Sequence, residues 1–380
     1  MYLVYLKIKY RGKERQIMKL STIKIVNFRN YEHEKIDFNN FLNIIYGNNG
    51  EGKTNLVEAI YTLSLTKSFR TNNDKNLIKN GEVSTRIEGV IASNNTENSY
   101  EVIINKDGKK VKIDNDIQAK ISDYVTNINV ILLEPEEQTI FTSSPSERRK
   151  LLNIEISKLK KEYLIELNNY NKIIKQRNFY IRDLFINGNA SRDYLNILTN
   201  ELVTYGLKIY NLRKEFIDNI NEYINVFYND IFSSGNLKIK YVSDYNNKSK
   251  EEIIDMYNKN YNRELQIGKT LFGIHHDDLV FMLDNKNISE YGSNGQQKNA
   301  ILSFKLAELE VVNDANGEYP ILILDDIFSA LDKEKIKNIM KKINSSIQTF
   351  ITTTEVNRVN RKLLKNAKII KVTSGKIEVQ

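Results

Sequence analysis

Gly47-Asn48-Asn49-Gly50-Glu51-Gly52-Lys53-Thr54 has the spacing G-x-x-x-x-G-K-[ST]. Residues of these types at this spacing hold phosphate. The glycines let the backbone curl until successive N–H groups converge on phosphate oxygens, and a following helix adds its positive end. Lys53 would reach the β- and γ-phosphates of a nucleoside triphosphate, and the Thr54 hydroxyl would ligate Mg²⁺. Such a loop needs an acidic partner for the metal, and Ile321-Leu322-Ile323-Leu324-Asp325-Asp326 has the form of one, a Walker B strand. Asp325 would hold Mg²⁺, and Asp326 is placed to orient or deprotonate an attacking water. Ser329-Ala330-Leu331-Asp332 follows at the spacing of a D-loop.

A second phosphate nest is written in Tyr291-Gly292-Ser293-Asn294-Gly295-Gln296-Gln297-Lys298, ahead of an apolar helix from Ala300 to Leu309. Ser293, Gly295 and Gln296 would offer a hydroxyl and helix N-terminal amides. Two nests meet on one γ-phosphate most easily when they come from two chains. This is the signature logic of ABC ATPases, in which ATP lies between one subunit's P-loop and the other's signature.

These groups must be positioned by elements. Phe41–Tyr46 reads as a buried strand feeding the loop, and Leu56, Ala59, Ile60 and Leu63 recur at helical spacing after it. Lys19–Phe28 alternates as a half-buried strand, with Ile36–Phe38 as its return. Runs at Arg86–Ile91, Tyr100–Ile104 and Lys110–Ile113 read as strands, the last two joined by an Asp107-Gly108 turn. Val130–Leu133, Thr349–Thr352, Ala367–Val372 and Lys376–Val379 complete the strand set. From Ser146 to about Phe232 the periodicity is helical, with a turn at Asn187–Ser191 that makes an antiparallel hairpin. A polar stretch from Tyr241 to Asn262 carries a short helix at Glu251–Tyr257. The first third holds the P-loop and the last third its acidic partner, so one α/β nucleotide-binding head is split by an inserted helical domain. The expected bounds are 1–17 leader, disordered or a start-site artefact before Met18; 18–143 head, first part; 144–265 helical arm; 266–380 head, second part.

Bulk composition sets limits. The 380 residues suggest two domains, and 41% hydrophobic with 27% charged residues allows a core. A net charge of +8 fits an acidic polymer as partner and equally a Lys- and Asn-rich composition. With no cysteine, disulfides, thiol catalysis and Cys-based zinc sites are excluded. No apolar run approaches the ~20 residues of a membrane span and no signal peptide is seen, so the cytoplasm is the expected location.

Taken together, the motifs resemble the RecF family of bacterial recombination mediators, of the ABC/SMC class, from Met18 to Gln380. The resemblance is carried by Asn27–Tyr31, by the P-loop continuing into Asn55–Ile60, and by Lys67–Thr71, Pro145–Arg149, Lys175–Asn178 and Gly273–Asp278. It continues in the signature, Walker B with D-loop, and Gln348–Thr354. Departures are Ile274, His276, Asn294 and Lys298, where the family pattern usually has Pro, Arg, Gln and Arg. The resemblance implies an ABC-type head with a helical arm that dimerises on ATP and hydrolyses it slowly. It implies binding to gapped DNA, single strands and duplex at junctions, loading of RecA together with RecO and RecR, support of the SOS response, and no membrane partner. It also implies that Arg29 reaches nucleotide phosphates and that Arg70 serves ATP or DNA. Two other classes compete. A transporter-type ABC subunit lacks its switch-loop His here, since Thr352-Thr353-Thr354 stands in that place. An SMC-like structural protein needs a longer arm than about forty residues per helix, roughly 60 Å. His275-His276-Asp277-Asp278 could pass for a metal cluster, but no third, distant ligand set accompanies it.

Overall fold

A computed structural model describes residues 16–187, 191–232, 234–343, 347–356 and 364–379. The chain divides into two compact units. The first comprises Met1–Gln138, Tyr223–Gly235 and Asn294–Gln380, the second Thr139–Glu222 and Asn236–Ser293. These bounds differ from 144–265 for the arm.

In the first unit a six-stranded sheet runs in the order Lys376–Val379, Ala367–Thr373, Leu42–Tyr46, Thr349–Thr353, Ile321–Leu324, Val130–Leu133. All pairings but the first are parallel. Buried parallel strands read as continuous aliphatic runs, which is how Ile321–Leu324 and Val130–Leu133 appear in the sequence. Register brings Tyr46 beside Thr353 and Leu324 beside Ile351, so the carboxyl ends of the strands carrying the P-loop and the acidic pair lie side by side. Ligands of open parallel sheets bind at such ends.

A second six-stranded sheet is antiparallel: Tyr31–Asp37, Lys19–Phe28, Ser84–Ser93, Thr96–Asn105, Gly108–Ile113, Asp116–Ile117. The helix Lys53–Leu65 touches strands of both sheets and is buried around nearly its whole circumference. The two sheets are also joined by one amide. Gln348, fully buried, accepts from the Leu20 N–H (2.7 Å) and donates to the carbonyls of Leu20 and Asn39 (2.9 Å each). Gln16–Ile17 pairs in parallel with Glu318–Tyr319, so the end of the expected leader is a strand; the rest of it, residues 1–15, lies outside the described residues.

The second unit is built on helices Pro145–Leu159, Lys161–Asn187 and Arg192–Ile231, the last continuing into the first unit from Tyr223. The helical run breaks at Lys160, with φ −132°, where neither glycine nor proline signals a stop. The expected turn lies largely outside the described residues, at 188–190. The pairing it implies is visible in side chains: Arg213 Nε donates to Tyr163 Oη (2.9 Å), Lys208 pairs with Glu166 (2.7 Å), and Arg177 Nε donates to Thr199 (3.0 Å). Partners descend on one helix as they climb on the other, so the two run antiparallel. The unit is not wholly helical. Leu237–Val242, Asp278–Leu283 and Lys286–Asn287 form an antiparallel sheet, and Lys250–Lys259 is a helix opened by a Ser249/Glu252 capping box. Among the described residues no helix is long and apolar enough to cross a membrane.

Candidate nucleotide site

The loop Gly47–Thr54 leaves the central strand Leu42–Tyr46 and enters the helix Lys53–Leu65. Two of its glycines are obligatory by space. A Cβ on Gly47 would stand 2.3 Å from the Val372 carbonyl oxygen, and one on Gly52, at φ +118°, 2.7 Å from the Asn30 side chain. The loop is braced on both flanks. On one side Asn30 Nδ2 donates to the Glu51 carbonyl (3.0 Å) and Tyr31 Oη to the Gly52 carbonyl (2.9 Å). On the other, the Ser374-Gly375 hairpin turn takes hold of Glu51: the Gly375 N–H reaches its carbonyl (2.9 Å), and the Ser374 N–H and hydroxyl reach its carboxylate. Glu51 and Gly52 are thereby fixed, with Asn48, Asn49 and Gly50 spanning the loop between them and Gly47.

Lys53 Nζ folds back to the carbonyls of Gly47 and Asn48, at 2.8 Å each. Burial pulls its ammonium below the usual lysine range, opposed by the carboxylates of Asp326, Asp325 and Glu51. A lysine so placed is a charge held ready over the loop. The Thr54 hydroxyl donates to Asp325 Oδ1 (3.2 Å), which also accepts from the Thr352 hydroxyl (2.5 Å). Burial raises the Asp325 carboxyl above the ordinary aspartate range, and the two threonine hydroxyls oppose the rise. Thr54 and Asp325, 271 residues apart, thus share one point, offering the hydroxyl and carboxylate oxygens that Mg²⁺ prefers. Asp326 follows in the left-handed region (φ 48°), half-buried, with its N–H on Thr352 Oγ1 (2.9 Å). That turn separates the backbone of the two acids, and the Asp325 carboxylate meets Thr54.

Arg29 and Arg70 both meet Glu58. Arg29 does so with Nε (2.9 Å) and Nη2 (2.6 Å), Arg70 with Nη1 at 3.4 Å. Both therefore flank the P-loop helix. Ser293 precedes the helix Asn294–Asn316 immediately; Ser293, Asn294 and Gly295 are exposed and Gln296 half-buried. Among the described residues no group of three or more His, Cys, Asp or Glu could hold a metal ion. In the His275–Asp278 run, Asp277 pairs with buried Arg213 (2.8 Å) and Asp278 with Arg148 (2.6 Å).

Sequence reasoning missed Thr352, Glu58 and the two braces of Glu51. The signal for Thr352 is the Thr run itself, at the carboxyl end of a buried strand next to the one that ends in the acidic pair.

The family model for the RecF/RecN/SMC N terminal domain matches residues 19–378. The DNA replication and repair protein RecF of Staphylococcus carnosus (strain TM300) is 36% identical over 368 residues, covering 95% of this chain and 100% of that protein. A solved structure of the recombination mediator protein RecF-ATP in the RecFOR pathway superposes with a TM-score of 0.90 at 28% identity, over 98% of this chain and 100% of the other. An Smc head domain from Pyrococcus furiosus shares the fold alone, with a TM-score of 0.55 at 17% identity over 96% of each chain. With an SMC-type ATPase-head fold and this breadth of match, the chain belongs to the RecF family.

Proposed function

We propose that the protein is an ATP-dependent DNA-binding protein of recombinational gap repair and replication-fork maintenance. The observation that carries the reading is the meeting of Thr54 and Asp325 beside a braced P-loop within a chain of this family. The first compact unit serves as the ATPase head and the second as the arm. Lys53 and the loop amides hold the triphosphate, and Thr54 with Asp325 holds Mg²⁺. Held by Thr54 and Asp325, the ion would supply charge neutralisation to the transferring phosphoryl group. Asp326 orients the attacking water and accepts its proton. Thr352 keeps both acids in place. Arg29 and Arg70 supply positive charge at the flank. Ser293, Gly295 and Gln296 complete the site of a second copy, so ATP closes a homodimer and slow hydrolysis reopens it.

On this reading the dimer binds gapped DNA and single-strand/duplex junctions in the cytoplasm, and its weak ATPase is stimulated by DNA. With RecO and RecR it loads RecA and supports the SOS response. The test is binding to gapped against blunt duplex, with and without ATP, over a salt series. ATP-dependent preference for gapped DNA that falls steeply with salt is expected. Equal affinity for both duplexes, indifferent to ATP, overturns the reading.

A further inference from the structure

We infer that Glu58 is a positioning residue holding Arg29 and Arg70 as an unequal pair, Arg29 locked and Arg70 releasable to a nucleoside triphosphate. The inference rests on Gly47–Thr54 being an ATP site. Glu58 lies one helical turn beyond Thr54 and is fully buried. A carboxylate there is tolerable only with its oxygens occupied. Both are: Oε1 accepts from Arg29 Nη2 (2.6 Å) and Ser68 Oγ (2.5 Å), and Oε2 from Arg29 Nε (2.9 Å) and Arg70 Nη1 (3.4 Å).

The two arginines are not equivalent. Arg29 is bidentate and 19% exposed, and its backbone N–H is fixed on the Leu77 carbonyl (2.8 Å). Withdrawing it would strip a buried carboxylate of its main counter-charge. Arg70 is 44% exposed and touches Glu58 through one long contact. Withdrawing it leaves Glu58 with the Arg29 fork and Ser68. A half-exposed single contact is worth little, whereas a guanidinium gains two strong hydrogen bonds on a phosphate. Arg70 is also wired to the loop: Nη1 donates to Asn55 Oδ1 (2.8 Å), Asn55 to Asn30 Oδ1 (2.8 Å), and Asn30 to the Glu51 carbonyl (3.0 Å). One carboxylate against two guanidiniums leaves a net positive charge beside the P-loop, with Glu58 setting how much of it a ligand meets.

The experiment is titration of the full chain with fluorescent ATP and Mg²⁺ at low and high salt, with melting temperatures in parallel. Glu58→Gln keeps the size and one acceptor but removes the charge. It is expected to tighten ATP binding roughly three- to tenfold at low salt. The gain is expected to vanish in the Glu58→Gln/Arg70→Gln double variant. Unchanged or weaker binding in Glu58→Gln, or a gain that survives without Arg70, overturns the inference. If Glu58→Gln does not fold, single variants decide. Arg70→Gln should weaken ATP binding with its Tm kept, and Arg29→Gln should lower the Tm. An Arg70→Gln chain that binds ATP as the parent does, or melts as early as Arg29→Gln, overturns it. Lys53→Ala separates the two levels. ATP binding abolished by Lys53→Ala but indifferent to Glu58 and Arg70 removes this inference alone; binding indifferent to Lys53 removes the nucleotide site and the inference with it.

Discussion

Thr352 is the residue on which the two acids of the site depend. Its hydroxyl hydrogen goes to Asp325 and its oxygen receives the Asp326 N–H, so one side chain fixes the direction of both. Thr352→Val keeps the shape and removes both bonds. Outer partners of a metal ligand commonly matter by 10- to 100-fold. We expect Mg²⁺-dependent ATP turnover to fall by about that factor, with ATP binding in the absence of Mg²⁺ close to the parent's. Turnover at the parent rate across a Mg²⁺ titration would show that Asp325 is held well enough by Thr54 alone. A second residue-scale effect belongs to His275. Burial, reinforced by the neighbouring His276, lowers its imidazole from the usual value to about 3, and the neutral ring lies 2.7 Å from the Tyr170 hydroxyl. The folded-state value is below the unfolded one, so the unfolded chain binds the proton first. Its contribution is complete above about pH 6.5 and is lost as pH falls from there towards 3. Between pH 7.5 and 5.5 the loss should be roughly 1 kcal/mol, and His275→Asn should flatten this part of the profile. Urea unfolding at the two pH values measures it; an equal slope in the variant assigns the loss to other groups.

At the scale of elements, the parallel strands and the phosphate helix were legible because burial on both faces selects continuous aliphatic runs and glycine spacing marks the loop, and the antiparallel strands because one buried face leaves alternation. What was illegible is held by partners far apart in the chain. Glu58 reads as an ordinary helix former until Arg29, Ser68 and Arg70 converge on it. Leu237–Val242 alternates apolar and charged residues inside a Lys- and Asn-rich stretch, and its pairing partner begins only at Asp278. Gln348 is similar: nothing local announces an amide that ties Lys19–Phe28 to the central sheet across 328 residues. Gln348→Leu fills the space and leaves the Leu20 N–H, the Leu20 carbonyl and the Asn39 carbonyl without this partner. Each orphaned group costs about 1–3 kcal/mol, less whatever relaxation recovers, so a loss of roughly 2–4 kcal/mol is expected. Denaturant unfolding with the slope compared to the parent tests it. A change within about 0.5 kcal/mol would mean that water or a backbone shift replaces the amide.

For the whole molecule, the site has one side only. The P-loop, its braces, the acidic pair and both arginines come from the first unit, and Ser293, Asn294 and Gly295 are exposed at the start of a helix, where the proposed reading has a second copy's nucleotide dock. Closed homo-oligomers with self-complementary contacts are most often two-fold. Two such sites related by a two-fold axis would each receive the other's signature, and two ATP molecules would be buried together. Asp326→Asn removes the acid that the proposed mechanism uses to orient water while leaving the binding residues, so it should trap the closed form. Gel filtration of this variant with ATP and Mg²⁺ is expected to move from the 44.3 kDa monomer to a dimer. Ser293→Arg places a bulky cation where the proposed dimer would seat the partner's γ-phosphate. It should keep ATP binding by the single chain and lose the dimer, whereas Lys53→Ala should lose both. The pair separates binding from closure, because in the proposed dimer Ser293 would act on the other copy's nucleotide and Lys53 on its own. An Asp326→Asn chain that stays monomeric with saturating ATP would leave the signature without a γ-phosphate to meet, and the two-chain site would have to be abandoned.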